Sequence, residues 1–293
     1  MRERVLKVGK PVPLIGVVTE PQAFDPERAA VIVLNSGIMH HVGACRLSVK
    51  ITREVASKGL LAARFDYSGI GDSEPRRGTE SFEEVSLKEC AEVMDYLERT
   101  RGVKRFILAG LCSGADAAYN TALEDKRVIA IAQIDAFCYV TPRYHLEYYR
   151  PILFRRKRWA SFLNRIWGKV ARRSPGKPPT DSAALDPEYF EVPTYTRVFP
   201  PREQVARGLS RLTARGVRMY VNFTGGEPSY RYQGQYRASF PEVAFGDLLT
   251  VDYYPHTNHI ITQPRYQREI VSNITSWVVD VDERSPALAQ PIP

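Results

Sequence analysis

Phe106-Ile107-Leu108-Ala109-Gly110-Leu111-Cys112-Ser113-Gly114-Ala115 is the stretch on which the reading of this chain turns. The apolar run Arg105–Ala109 predicts a short buried strand, and Asp116–Glu124 predicts a helix. Between them, Gly110 and Gly114 flank one reactive side chain, Cys112. A strand that passes into a helix through so short a turn bends sharply, and small residues on each side let strand and helix approach. The residue at the apex is lifted to the end of the sheet. A free cysteine taken alone reads as a small buried hydrophobe. The glycines and the strand–turn–helix context make Cys112 a candidate nucleophile instead, with Ser113 offering its backbone N–H beside it.

Outward from this turn, strand-like and helical runs alternate. Val5–Val8 and Leu14–Val18 predict an antiparallel hairpin. Ala29–Leu34, Leu60–Phe65, Val128–Ile134, Val217–Phe223 and Leu248–Tyr254 predict strands. Arg46–Lys58, Ser81–Thr100, Arg202–Ala214 and Gln263–Val279 predict helices. This alternation is the signature of an α/β fold, a largely parallel sheet covered by helices. It breaks between Phe137 and Pro200, where the sequence is aromatic, basic and proline-containing. The predicted organisation is therefore a core over 1–137 and 201–282, an inserted helical cap over 138–200, and a flexible tail over 283–293.

Composition narrows the class. With 293 residues, 44% of them hydrophobic, the chain suits one globular domain with an insertion. No run of about 18 apolar residues suggests a membrane span, and the charged N-terminus lacks a signal-peptide core; the expected location is cytoplasmic. Four cysteines without paired spacing, and only 5 histidines, argue against a zinc site or a disulfide framework. No metal or cofactor is expected. The net charge of +8 is partly local, in Arg155, Arg156, Lys157 and Arg158. No nucleic-acid motif accompanies them, which leaves a solvated basic face or a dock for an acidic partner.

A thiol nucleophile needs a base. The last strand runs into Pro255-His256-Thr257-Asn258-His259, and His259, a few residues past the strand and just before the closing helix, fits best; His256 competes. For the acid that orients the imidazole, Glu227 beyond Phe223-Thr224-Gly225-Gly226 is the first choice, and Asp135 at the end of Val128–Ile134 is the alternative. Two backbone N–H groups are needed to hold an oxyanion, and Ser113 and Ile38 are the candidates. His40 and His41 follow closely, either at the mouth of a substrate pocket or simply exposed.

These features together resemble the α/β-hydrolase superfamily: the Gly110-to-Gly114 elbow, the turn Asp66-Tyr67-Ser68-Gly69-Ile70-Gly71-Asp72-Ser73, and the late His259. The resemblance runs from about Leu14 to Val279 and implies a mostly parallel, twisted eight-stranded sheet with an inserted cap. More narrowly, Asn35-Ser36-Gly37-Ile38-Met39-His40-His41-Val42-Gly43, Arg64-Phe65-Asp66 and Thr141-Pro142-Arg143-Tyr144 resemble exosortase-associated hydrolases and hydrolases encoded beside carrier-protein genes. The elbow cysteine is similar to that of cysteine-dependent aminoacyl and acyl shuttle transferases. Two departures stand out: Asn258 precedes His259 where relatives carry Asp, and the acid after the penultimate strand stands behind two glycines.

The thiol itself points to a reaction class. Passing an acyl group from a thioester to a serine runs downhill, whereas passing it to Cys112 yields another thioester, nearly isoenergetic and able to move the group onward. The expected activity is acyl transfer or thioester hydrolysis on acyl or aminoacyl thioesters. The substrate would be linked to phosphopantetheine or CoA, and the partner would be an acyl or peptidyl carrier protein docked on Arg155–Arg158. Tyr139 and Tyr144 are candidates for the walls of an acyl pocket. Two alternatives remain: a small-ester or lactone hydrolase using the same residues, and a non-catalytic binding scaffold.

Overall fold

Eight β-strands form one sheet in the computed structural model of the protein, which describes residues 1–76, 80–153 and 197–285. They are β1 (Arg2–Val8), β2 (Leu14–Glu20), β3 (Ala30–Leu34), β4 (Ala62–Phe65), β5 (Phe106–Leu111), β6 (Val128–Ile134), β7 (Arg218–Thr224) and β8 (Leu249–Tyr254). Their spatial order is β1-β2-β4-β3-β5-β6-β7-β8. The pairs β1/β2 and β2/β4 are antiparallel and the remaining pairs parallel. Parallel strands covered on both faces bury every side chain, and β3 and β5 are buried throughout, which is why both read as unbroken apolar runs. At the antiparallel edge, β1 starts earlier than its apolar residues suggest. Arg4 pairs with Glu20 across the hairpin, and Glu3 pairs with Arg53 and Arg64, so charged residues extend the strand.

The helices are α1 (Leu47–Ser57), α2 (Phe82–Arg101), α3 (Ser113–Glu124), α4 (Pro142–Leu153), α5 (Arg202–Ala214), α6 (Gln235–Ser239) and α7 (Pro264–Arg284). Helices α2, α3 and α5 bury Val93, Met94, Ala118 and Leu209 against one face of the sheet. Helices α1 and α7 bury Ile51, Val55, Ile270, Ile274 and Val278 against the other. Ser81 and Glu84 form a reciprocal cap at the start of α2, and Gly102, left-handed at φ +75°, ends it.

Helix α7 outruns the sequence expectation. It passes the predicted end at Val279 and runs to Arg284, its last turn anchored by Val281, which is fully buried, and Asp282, nearly so. The Asp282 carboxylate accepts from the Ala29 backbone N–H at 2.7 Å, from Arg28 at 2.7 Å and from Arg105 at 3.2 Å. It thereby ties the closing helix to the starts of β3 and β5.

The chain divides into two compact units, one made of 1–140 with 199–293 and the other of 141–198. In the second, α4 carries Tyr144 stacked on Tyr148 with ring centroids 6.0 Å apart. Arg155, Arg156, Lys157 and Arg158 lie outside the described residues. No described helix is long and apolar enough to cross a membrane.

Removing one partner of a buried ion pair is costly because the other charge stays buried. Asp282→Ala is expected to lower unfolding free energy by about 3 kcal/mol in urea titrations, against less than about 1 kcal/mol for Arg4→Ala at the exposed hairpin.

Candidate active site

The turn between β5 and α3 is a single residue long, and Cys112 fills it at φ 55°, ψ −118°. That backbone conformation is unfavourable for a residue with a Cβ and persists only where neighbours enforce it. The Cys112 N–H donates to the Ile134 carbonyl at 2.8 Å, and its own carbonyl accepts from Asp116 N–H at 3.1 Å. The two glycines make the geometry possible. A Cβ on Gly110 would stand 2.2 Å from the Gly114 carbonyl carbon, and one on Gly114 would stand 2.5 Å from the Asn35 oxygen. Strand, helix and the loop after β3 therefore meet at contact distance around a half-buried thiol.

Directly beyond β6, Asp135 also takes a left-handed conformation, φ 53°. Its N–H donates to Asn222 O at 2.8 Å, and its carboxylate is fully buried. One carboxylate oxygen accepts from Thr224 N–H at 2.7 Å; the other accepts from the Thr224 hydroxyl at 2.8 Å and from His259 Nδ1–H at 2.6 Å. With Nδ1 so occupied, the other ring nitrogen serves Cys112, to which the imidazole is hydrogen-bonded. The Asp135 hydrogen bond first, and the Cys112 hydrogen bond second, outweigh burial and push the His259 imidazole up from 6.5 to about 10. Both neighbours therefore favour the protonated form of the ring.

Of the two candidate acids, Asp135 is the one that meets His259. Glu227 is buried, but its Oε1 accepts from Ser229 N–H at 3.0 Å and Ser229 Oγ at 2.5 Å, so it braces its own loop. The glycines ahead of it serve another purpose. A Cβ on Gly225 would lie 2.1 Å from Pro255 O, and one on Gly226 would lie 2.2 Å from His259 N. They seat the loop that carries His259. His256 is exposed on that loop. Asn258 accepts from Thr262 N–H at 2.9 Å and donates to Thr262 Oγ1 at 2.9 Å, so its role is to close the turn before α7.

The loop after β3 carries the other predicted residues. The Gly37 N–H donates to Ser113 Oγ at 2.5 Å, and Ile38, next along, is 58% exposed. His40 and His41 scaffold this loop rather than standing free for substrate. His41 is buried, and its N–H and Nδ1–H donate to the two oxygens of Asp66 at 2.6 and 2.7 Å. Val42 N–H points at His40 Nδ1, which places the His40 proton on Nε2, 3.0 Å from Asp72. Burial alone would raise the Asp66 carboxyl, but hydrogen bonds from His41, Asp72 N–H and Asn35 hold it below the usual range. These four side chains lie close enough to ligate a cation, and here they are hydrogen-bonded to one another. The Tyr139 hydroxyl donates to Pro200 O at 2.6 Å, and the ring packs edge-on against Phe199 and Phe240, so it anchors the chain entering α5.

Residues 26–197, more than half of the chain, match the family described as serine aminopeptidase, S33. The chain belongs to that family. Among solved structures, the S33 member resembles Est1E from Butyrivibrio proteoclasticus, with a TM-score of 0.58 and 11% identity over 96% of this chain and 99% of that one. It also resembles the proline iminopeptidase of Mycobacterium smegmatis, with a TM-score of 0.55 and 13% identity over 96% and 99%. At such identities the likeness concerns the fold. A sequence relative, the uncharacterized protein YcjY of Escherichia coli (strain K12), is 28% identical over 131 residues, 43% of this chain and 41% of that protein. The chain thus matches less than half of that relative's length. The family's name specifies a serine, and this S33 member has Cys112 at the apex.

Two outcomes follow from this geometry. In Asp135→Asn, histidine Cε1–H NMR titration is expected to show the His259 pKa falling from about 10 toward 6.5. A folded pKa raised above the unfolded value contributes stability that is complete below about 6.5 and is lost as pH rises through about 10. Wild type should therefore lose more stability than Asp135→Asn between those limits, read by denaturant titration at each pH. Gly226→Ala should push the His259 backbone off its seat and weaken the ring's hold on Cys112, read as a fall in the same His259 pKa.

Proposed function

We propose that the protein transfers acyl groups from thioesters through a covalent thioester on Cys112, with water or a second nucleophile as acceptor. The observation that carries this reading is the His259 ring, held by buried Asp135 at 2.6 Å and raised in pKa by both Asp135 and Cys112. In such a pair the attacking species is the thiolate, and the imidazolium holds the proton the leaving group needs.

The thiolate attacks the carbonyl carbon of the bound thioester and forms a carbon–sulfur bond, while the carbonyl π pair moves onto oxygen. The Ser113 and Ile38 N–H groups are assigned to that oxyanion. Collapse of the adduct restores the carbonyl and breaks the bond to the departing sulfur, which takes the proton from His259. The neutral imidazole then accepts a proton from the incoming water, thiol or amine as it attacks the acyl-cysteine. The resulting oxyanion collapses and expels the Cys112 thiolate, leaving His259 an imidazolium again. Asp135 keeps the ring in one tautomer and orientation throughout.

Sulfur-to-sulfur exchange suits a relay more than a sink, which favours acyl or aminoacyl thioesters on phosphopantetheine or CoA as substrates. The resemblance to carrier-protein-linked hydrolases supports an acyl or peptidyl carrier protein as donor, with Arg155–Arg158 as its dock. Cys45, Cys90, Cys112 and Cys138 are all free thiols, which suits a reducing, cytoplasmic setting. A second reading, hydrolysis of small esters by the same residues, is favoured by the S33 family match.

Intact-mass spectrometry after incubation with an acyl-CoA or acyl-pantetheine separates the readings. Wild type is expected to gain one acyl mass that hydroxylamine removes, and Cys112→Ala to gain none and to lose at least about 10³-fold in turnover. Unmodified wild type that turns over p-nitrophenyl esters rapidly would favour the second reading. An adduct of equal yield on Cys112→Ala would overturn both.

A further inference from the structure

The two backbone donors assigned to the oxyanion sit on separate elements. The Ser113 N–H belongs to the first residue of α3, whereas Ile38 stands at the tip of the loop that joins β3 to α1. Two donors on separate pieces of chain make an effective hole only if something fixes their spacing, because preorganisation is what gives such donors their catalytic value.

The rear of the loop is firmly held. Asp66 collects Asn35 Nδ2 at 2.9 Å and the His41 N–H at 2.6 Å. The tip is a turn closed by Met39 N–H on Ser36 O at 3.1 Å and by Asn35 Nδ2 on Met39 O at 2.7 Å. Packing holds only one end of it, where half-buried Met39 lies against the core. Gly37, at φ +54°, has open space where a Cβ would stand, and Ile38 is 58% exposed. What joins the tip to the elbow is the hydrogen bond from Gly37 N–H to Ser113 Oγ at 2.5 Å, made by a residue only 5% exposed.

We infer that Ser113 is a positioning residue whose hydroxyl sets the width of the oxyanion hole. One residue supplies both a donor and the brace for its counterpart: its N–H faces the oxyanion, and its Oγ fixes Gly37 and hence the neighbouring Ile38 N–H. The hydroxyl beside the nucleophile is thus engaged with the loop and is not a spare nucleophile. The inference rests on the reading of Cys112 as the residue that is acylated.

Two reactions of the same sulfur test it in the full-length protein. Acylation by an acyl-CoA builds an oxyanion; alkylation by iodoacetamide displaces iodide at a saturated carbon and builds none. Misplacing a catalytic group by about 1 Å costs up to about 10²-fold. Ser113→Ala is therefore expected to slow acylation by about 10- to 100-fold at saturating substrate with little change in KM, to leave the alkylation rate within about twofold, and to keep the melting temperature. Ser113→Thr, which retains the hydroxyl, should restore most of the acylation rate where it folds; where it does not fold, the ratio of acylation to alkylation in Ser113→Ala decides alone. Acylation unchanged in Ser113→Ala, or acylation and alkylation slowed equally, overturns the positioning role. Wild type that is alkylated at Cys112 but never acylated overturns the underlying acyl-transfer reading, a result separable from either.

Discussion

A residue with a side chain sits at φ 55°, ψ −118° only when its surroundings leave it no alternative. Around Cys112 the enforcement is close contact. Gly110 touches Gly114, Gly114 touches the carbonyls of Leu34 and Asn35, and the Cys112 N–H is spent on the neighbouring strand. No side chain larger than hydrogen fits at either glycine without moving backbone. The turn therefore cannot relax, and the sulfur is carried at the end of the sheet on a rigid mount. Everything else in the site, the imidazole on one side and the loop after β3 on the other, meets a thiol whose position is settled by covalent geometry and packing.

Much of the architecture was legible for the same reason. Strands buried on both faces leave continuous apolar runs, and the elbow leaves two glycines at fixed spacing, so both register in the sequence as local patterns. What was not legible depended on distant partners. The extent of α7 past Val279 is not readable until Asp282 is seen to gather Arg28, Arg105 and the Ala29 N–H from remote segments. His40 and His41 look like pocket residues until Asp66, more than twenty positions away, is seen to take up their loop. Short α6 leaves no periodicity long enough to read.

Within the site, Cys112 and His259 announce themselves by their places at the ends of β5 and β8, but the carboxylate does not. Glu227 was preferred because it follows β7, yet Gly225-Gly226, the feature that set it apart, proves to be the explanation for its absence from the site. Those glycines are a contact surface, and what they contact is the backbone of Pro255 and His259. The signal for Asp135 was its position one residue past a strand, the same relation that Cys112 has to β5.

The order of the strands then explains why the acid belongs there. β5, β6, β7 and β8 are consecutive neighbours, spaced by about 4.8 Å. The Cys112 thiol rises from β5 and the imidazole comes from beyond β8, so the His259 loop must cross over the end of β7 to reach the thiol. Just beyond β7 that crossing rests on Gly225 and Gly226, where a Cβ would strike the backbone of Pro255 and His259. β6, next to β5, carries the acid instead: Asp135 is held by the Thr224 N–H and hydroxyl from β7, and the oxygen that takes the hydroxyl also accepts from His259 Nδ1–H. β7 thus contributes the groups that hold the acid in place of the acid itself. Asp135 shares with Cys112 a positive φ and a place one residue past its strand, so its side chain, too, is presented without a flexible loop between it and the sheet.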